Sequence, residues 1–241
     1  MTKLSQIAAA AVLALSFGGA QAAYVIDSFS TPFVPLEANQ IKDDTSNSSA
    51  VFAAPVFDTS ILGGSRDLYI SKEGDAADDL GSGVTSNVFN GTWRYSEQTG
   101  QNGFGVARWD GANVGVAVDT GGLGGVDLTA FGSALKVDLV RSDAGLPLEF
   151  FVWTDLLNDN NYVMSSLMLI ASGAGSYIFN FADFDDANFT KVGAIELKIN
   201  GGAGGDLDAQ VDMVSVVPEP GTLALAGIAL LGLGAIRRRK S

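Results

Sequence analysis

Short runs of apolar and β-branched residues, separated by Gly, Asp and Asn, recur along most of the chain. Thirteen such runs lie between residues 24 and 216, and none keeps a helical period for more than about two turns. In Leu135–Arg141 and Ile195–Ile199 apolar and polar residues alternate, so each strand has one apolar face for the core and one polar face for the solvent. This spacing predicts an antiparallel β-sandwich or barrel, and the alternation favours the sandwich. The predicted strands are Tyr24–Phe29, Val51–Phe57, Arg66–Ser71, Val84–Phe89, Thr92–Glu97, Gly103–Trp109, Val114–Val118, Ala134–Arg141, Leu148–Thr154, Tyr162–Ile170, Ser176–Phe181, Ala194–Ile199 and Leu207–Val216.

The first 22 residues have the pattern of a secretory signal peptide. Lys3 is followed by the apolar run Ile7–Phe17 and then by small residues that place Ala20 and Ala22 in an A-x-A site. The alternative is a buried N-terminal helix, but Gly18-Gly19 is a poor helix end, and about 11 apolar residues are too few to span a bilayer. We predict that signal peptidase cleaves after Ala22 and that the rest of the chain is exported.

A second apolar segment lies near the C-terminus, between a proline-rich turn and a basic end. Residues 222–236 carry no charge and would span about 22 Å as a helix, less than the roughly 30 Å of the hydrocarbon core. We predict a transmembrane helix over 222–236, whose basic end snorkels to the membrane surface. Basic residues next to a transmembrane helix stay in the cytoplasm, so the C-terminal end of this helix is cytoplasmic and everything before Pro218 lies outside the inner membrane. Its four cations are Arg237, Arg238, Arg239 and Lys240.

The last predicted strand is separated from this helix by Pro218, Glu219 and Pro220. Each proline fixes φ and lacks an N–H, so the strand cannot continue and the helix must start after the tripeptide. The tripeptide, the apolar segment and the basic end together resemble the PEP-CTERM sorting signal of Gram-negative bacteria that make extracellular polysaccharide. The resemblance implies that a membrane-bound exosortase recognises the tripeptide and removes the tail, leaving the protein at the cell surface or outside the cell. The alternative is a plain C-terminal anchor. The expected domains are a signal peptide (1–22), a secreted domain (23–217) and a sorting signal (218–241).

The composition narrows the chemistry of the secreted domain. The chain has no Cys and no His, which excludes disulfides, thiolate nucleophiles, imidazole metal sites and Ser-His-Asp triads. The net charge is −13, and without the two ends residues 23–217 hold nine basic and 26 acidic residues, a charge of −17. A domain this acidic is not expected to bind nucleic acid, whose affinity depends on Lys and Arg. The charge is typical of a soluble extracellular protein.

Six short motifs follow one another between residues 123 and 216. They are Asp127-Leu-Thr-Ala-Phe-Gly132, Asn161-Tyr162, Phe181-Ala-Asp-Phe184, Asn188-Phe-Thr190, Val192-Gly-Ala-Ile-Glu196 and Gln210-Val-Asp-Met-Val214. This stretch is similar to the galactose-binding-like jelly rolls of carbohydrate-binding modules, which implies a jelly-roll-like sandwich. In that family a calcium ion often joins the first and last strands, and Asp27 and Asp212 stand in the matching places. The alternative is that both are solvent-facing aspartates at strand edges.

Calcium is the one cofactor that the sequence suggests. Besides Asp27 and Asp212, the oxygen-rich segment Asp155–Asn161 offers several carboxylate and amide ligands. It lacks the spacing and the central Gly of an EF-hand loop, however, and a hairpin loop is the alternative interpretation.

Four aromatic residues are candidates for sugar contacts, because sugar rings stack their apolar faces on exposed aromatic rings. Trp93 and Tyr95 share one face of a short strand, whereas Trp109 and Trp153 end two others. The alternative is that they fill the core, since a sandwich of this size has few large residues to pack. Trp153 lies on the less uniform face of its strand and is the best candidate for exposure.

These patterns predict an exported protein of the cell envelope or extracellular matrix, such as a biofilm, that is not an enzyme and has a structural or exopolysaccharide-associated role. One alternative is a polysaccharide-active enzyme with carboxylates such as Asp43-Asp44, Asp78-Asp79 or Asp185-Asp186. It would need two carboxyl groups roughly 5–10 Å apart in a cleft. The other alternative is a calcium-dependent carbohydrate-binding module.

Arg66 and Asp67 are expected to form an ion pair at a strand end.

Overall fold

Fourteen β-strands make up most of the described part of the chain. The computed structural model describes residues 22–32, 40–44, 50–73, 83–112, 117–200 and 207–218. Within them it contains two short 3-10 turns, Leu62–Gly64 and Phe181–Asp183, and no α-helix. The strands are β1 (Tyr24–Asp27), β2 (Ile41–Asp43), β3 (Val51–Phe52), β4 (Val56–Phe57), β5 (Ser65–Glu73), β6 (Val84–Phe89), β7 (Thr92–Glu97), β8 (Asn102–Trp109), β9 (Ala134–Ser142), β10 (Leu146–Asp155), β11 (Tyr162–Ala171), β12 (Gly175–Asn180), β13 (Val192–Asn200) and β14 (Asp208–Val217).

These strands form two antiparallel sheets packed face to face. The strand order in the first sheet is β12-β9-β14-β7-β6-β2, with β1 paired to β14 beyond the end of β7. The order in the second sheet is β11-β10-β13-β8-β5-β3, with β4 beside β5. Within the described residues, the predicted all-β antiparallel sandwich is confirmed.

Two nested hairpins give the sandwich its jelly-roll-like topology. β6 and β7 form a hairpin in the first sheet, while β5 and β8, which flank them in the chain, pair in the second sheet. In the same way β10 and β11 form a hairpin in the second sheet, while β9 and β12 pair in the first. β13 then joins β8 to β10, and β14 joins β7 to β9. The last two strands therefore lie at the centre of the two sheets.

The core lies between the sheets and is built from the apolar faces of the alternating strands. Leu135, Val137 and Leu139 of β9 are buried, as the alternation predicts. Phe150 of the second sheet meets Phe179 of the first edge-to-face, with ring centroids 4.9 Å apart. Each such side chain stabilises the fold by about 1.5–3 kcal/mol through burial, which explains how a domain without disulfides holds two sheets together.

Most predicted strands lie within a few residues of the observed ones. Val84–Phe89 and Thr92–Glu97 have the predicted bounds, because Asn90-Gly91 supplies the positive φ angles of +51° and +74° that a two-residue hairpin turn needs. The predicted strand Val51–Phe57 is two short strands instead, since Pro55 cannot donate to a ladder. The three-residue β2 was not predicted.

Several predictions fall on the parts of the chain outside the described residues. These are the signal peptide up to residue 21, the sorting tail from residue 219 onward, and most of the predicted strand Val114–Val118. Residues 117 and 118, which are described, are not in a strand. Among the described residues no helix is long and apolar enough to cross a membrane. The predicted helix over 222–236 and the domain boundaries stay predictions.

Candidate functional site

The outer face of the second sheet, turned away from the core, carries polar and aromatic side chains in rows across the strands. On β5, Asp67 points to this face because its neighbour Leu68 points into the core. The register sets Asp67 opposite Arg108 of β8. Arg108 in turn lies opposite Glu196 of β13, and Glu196 lies opposite Phe151 of β10. Four neighbouring strands thus contribute one side chain each to the same row.

A buried ion pair forms the centre of this row. Arg108 Nε donates to Glu196 Oε1 at 2.5 Å, and both side chains are less than 10% exposed. The guanidinium lies 5.1 Å from the centroid of the Tyr69 ring, and Tyr69 Oη is 3.4 Å from the same carboxylate oxygen. Burial and the Glu196 charge raise the pKa of Tyr69 to about 12, so its hydroxyl stays protonated and acts as a donor.

Asp67, at the end of the row, is the unusual acidic group of this face. It is 6% exposed, and neither carboxylate oxygen has a hydrogen-bond partner among the described residues. Burial and the nearby Asp110 raise the pKa of Asp67 to about 6, against the opposing effect of Arg108. The predicted ion pair between Arg66 and Asp67 is wrong, because adjacent residues of a strand point to opposite faces and Arg66 points inward.

Five partly exposed aromatic rings lie on the same face. The Phe52 and Tyr69 rings stack with centroids 4.8 Å apart, and Tyr69 meets Phe104 edge-on at 6.3 Å. Lys198 Nζ lies 4.1 Å from the centroid of the Phe104 ring. On the other side of the buried ion pair, the Phe151 and Trp153 rings are 6.5 Å apart. The outer face therefore combines apolar ring surfaces with charged groups. Its partly exposed rings are those of Phe52, Tyr69, Phe104, Phe151 and Trp153.

Three of the four aromatic residues proposed for sugar contacts lie in the core instead. Trp93, Tyr95 and Trp109 are at most 1% exposed, so their rings have no surface to offer a sugar, and the core alternative is the right one. The polar atoms of these side chains donate to acceptors inside the domain. Trp93 Nε1, for example, donates to Ser86 Oγ at 2.7 Å. Trp153 alone of the four reaches the surface.

The other aromatic rings of the outer face were not singled out from the sequence. Phe151 and Trp153 alternate with the buried Phe150 and Val152, so their position on the opposite face is readable from the chain. Phe52 carries no such signal, because its strand has only two residues and is positioned by pairing with Tyr69.

Asp27, predicted as a calcium ligand, is a buried ion-pair partner in the structure. Arg66 Nη1 donates to both of its oxygens, at 3.0 and 2.9 Å, and Trp109 Nε1 donates to Oδ2 at 3.1 Å. The backbone N–H of Phe29 donates to Oδ1 at 2.7 Å. This pair ties β1 of the first sheet to β5 and β8 of the second.

These contacts leave little room for a calcium ion at Asp27. β1 and β14 do pair, as the resemblance implies for the first and last strands. The guanidinium of Arg66, however, already lies where a cation would bind the carboxylate, and Asp212 is exposed. Within the described residues, no group of three or more carboxylates is arranged to hold a metal. The residues do not fit the ion well, and calcium binding stays an untested prediction.

The segment Asp155–Asn161 forms the hairpin loop between β10 and β11. The Asp155 carboxylate, fully buried, accepts the backbone N–H groups of Asp159 and Asn160 at 3.1 and 3.0 Å. Burial works against the charged form, but these donors lower the pKa of Asp155 overall. Asn158 and Asn160 supply the positive φ angles of the turn. The carboxylate therefore organises the loop from within.

β14 leads directly into the predicted sorting motif. Val217 O, on its last residue, accepts the backbone N–H of Ser133 at 3.0 Å, and Pro218 follows outside the strand. Pro218 is partly exposed, whereas Glu219, Pro220 and the basic residues 237–240 lie outside the described residues. The signal-peptide residue Ala22 is exposed just before β1, and Ala20 lies outside the described part.

Comparison with known proteins identifies the C-terminal motif. Residues 216–240 match the family described as PEP-CTERM protein-sorting motif, which confirms the resemblance. No curated protein matches the sequence. Among solved structures, the chain is similar to a family 11 carbohydrate-binding module of a cellulosomal cellulase of Clostridium thermocellum, with 8% identity over 83% of this chain and 96% of that one and a TM-score of 0.38.

Two other kinds of structure are also similar. A family 30 carbohydrate-binding module has 8% identity over 81% of this chain and 99% of that one, with a TM-score of 0.38. An agarase has 9% identity over 83% of this chain, with a TM-score of 0.43, but the chain spans only 25% of its length and 22% of the length of PfGH50B.

Proposed function

We propose that this is an exported, non-catalytic protein of the extracellular matrix that binds a glycan through the outer face of its second sheet. The PEP-CTERM motif at residues 216–240 implies that the chain is exported and processed by an exosortase. The partner class that this role requires is the exopolysaccharide around the producing cell.

The observation that carries the proposal is the set of five partly exposed aromatic rings beside the Arg108–Glu196 pair. Apolar faces of sugar rings stack on aromatic rings, and sugar hydroxyls donate to carboxylates or accept from Lys and Arg. From β3 to β10 the face crosses four strand spacings, or about 19 Å. A surface of that width suits an oligosaccharide segment rather than a single sugar.

The ion pairing and the spacing of Glu196 and Asp67 on this face favour binding over catalysis. Glu196 is held by Arg108, and the Glu196 carboxylate keeps the pKa of Arg108 raised even though burial lowers it. Asp67 lies two strand spacings from Glu196, about 10 Å along the sheet, with Arg108 between them. A glycosidase needs two carboxyl groups that both face the glycosidic bond.

The test is a calorimetric titration of the full chain with exopolysaccharide prepared from its own host. Trp153→Ala and Phe151→Ala are expected to weaken binding about fivefold each, because each removes one stacking surface worth about 1 kcal/mol. Phe89→Ala is the matched control, since Phe89 is an exposed ring on the first sheet and its loss is expected to leave binding unchanged.

Each other outcome has a definite meaning. If neither ring variant differs from Phe89→Ala, the outer face is not the binding surface. If the chain binds no glycan, the matrix role is structural and export by the sorting motif still holds. Release of reducing sugar ends that is lost in Asp67→Asn would favour the alternative of a carboxylate-dependent polysaccharide-active enzyme.

A further inference from the structure

The two lateral edges of the sandwich differ strongly. One edge is made of β2, β3 and β4, which are only two or three residues long. The opposite edge is made of the ten-residue β11 and the six-residue β12. Short edge strands are one of the ways in which proteins prevent edge-to-edge pairing, and a long edge strand without protection invites it.

β11 lacks the charged residues and prolines that protect many edge strands, and its Ser165 hydroxyl donates to Asp185 O in the segment between β12 and β13. Among the described residues it pairs with β10 alone, so its other edge presents free backbone N–H and C=O groups. Tyr162–Ala171 contains no charged residue and no proline, and neither does β12. Met164, Met168 and Ile170 are 52%, 54% and 55% exposed. In a domain with a charge of −17, β11 itself therefore brings no carboxylate to a contact between two copies, although Asp185 and Asp186 are exposed in the segment that follows β12.

We propose that β11 pairs with β11 of a second copy of this chain, antiparallel and about a two-fold axis at Ser166. The exposed methionines of the outer face of β11 match themselves in that register, because Met164 then lies opposite Met168 of the second copy. Such self-complementarity is what a two-fold interface requires, and it favours a second copy over an unrelated partner.

The pairing gives a closed dimer rather than a filament. Each copy uses its one long exposed edge of the second sheet, and the opposite edge ends in the short strands β3 and β4. The two second sheets become one continuous sheet, so the two outer faces lie side by side. The dimer does not depend on the proposed glycan binding, and its test uses no glycan.

The test uses the full chain, which contains no native cysteine. Ser166→Cys places one thiol at the two-fold axis, where cross-strand Cβ atoms come within the reach of a disulfide. Mild oxidation of the purified protein is expected to give roughly tenfold more cross-linked dimer than Val140→Cys does. Val140 is the matched control, because it is 52% exposed on β9, inside the first sheet.

Charge variants added to Ser166→Cys test the register. Met164→Glu with Met168→Glu sets like charges opposite each other across the axis and is expected to reduce cross-linking to the Val140→Cys level. Met164→Lys with Met168→Glu sets opposite charges there and is expected to keep it. Thermal melts of the same variants verify folding. A Ser166→Cys yield equal to the control, or equal yields from the two charge variants, would overturn the proposal.

Discussion

Glu97 shows at the scale of a single residue how burial changes a carboxyl group. It ends β7 at the rim of the core, is 2% exposed, and accepts a 2.6 Å hydrogen bond from Tyr95 Oη through Oε1. Within the part of the chain that the structure describes, its Oε2 has no hydrogen-bond partner. Burial raises the pKa of Glu97 from 4.5 to about 7, although the Tyr95 hydrogen bond opposes the shift.

This pKa gives a prediction with a definite sign. The pKa of Glu97 is higher in the folded state than the ordinary value of 4.5, so its contribution to the free energy of unfolding is fully present below pH 4.5. The protein loses that contribution as the pH rises through about 7. Glu97→Gln stays neutral and keeps an acceptor for Tyr95. Its melting temperature minus that of the wild type is therefore expected to increase between pH 4.5 and pH 8, measured by circular dichroism.

The comparison with a second variant separates this cause from a general loss of charge. Glu73→Gln removes a carboxyl group from the exposed end of β5 and serves as the matched control. A melting-temperature difference for Glu97→Gln that is constant from pH 4.5 to pH 8 would contradict the prediction.

At the scale of elements, a glycine sets how closely the segment 117–126 packs on the end of the second sheet. A Cβ at Gly193 of β13 would lie 2.0 Å from Thr120 O and 2.5 Å from the Tyr162 ring. The backbone N–H of Leu123 donates to Gly193 O at 2.8 Å across the same contact. The absence of a side chain at Gly193 therefore allows the segment to lie against β13.

Gly193→Ala is expected to displace this segment and to destabilise the fold by about 1–3 kcal/mol, as overpacking does. Hydrogen exchange of the Leu123 amide should then become faster, because its acceptor moves away. The control is Gly91→Ala, where φ is +74° but no atom of the described residues lies within 4 Å of the added Cβ. It costs backbone strain of about 1–2 kcal/mol but should leave Leu123 exchange unchanged. Equal exchange at Leu123 in both variants would refute this account.

Elements with a strong local signal were the ones that could be predicted. The hairpin of β6 and β7 follows from Asn90-Gly91 between two alternating runs. β2 has no such signal: Ile41–Asp43 is a strand because it pairs with β6, and pairing depends on residues more than 40 positions away in the chain. Val51–Phe57 was predicted as one strand, but Pro55, which cannot donate to a ladder, divides it into β3 and β4.

At the scale of the whole molecule, the sorting motif predicts where the mature chain ends. Pro218 directly follows β14, so cleavage in this region would leave both sheets intact. Mass spectrometry of the protein recovered from its native host is expected to show an end near Pro218–Gly221, without Arg237–Lys240. A host lacking the exosortase is the control and should retain the tail. An intact basic end on the exported protein from the normal host would disprove the processing.

The sequence by itself determined the strand class, the tight turns and the sorting motif, because each depends on neighbouring residues: alternation, an Asn-Gly pair, or a proline tripeptide before an apolar run. Only the tertiary structure decided which charged groups meet. Arg66 pairs with Asp27 from the other sheet rather than with its neighbour Asp67, and Arg108 pairs with Glu196 from 88 residues away. Alternation shows that a strand has two faces, but the strand order and register decide what each face touches.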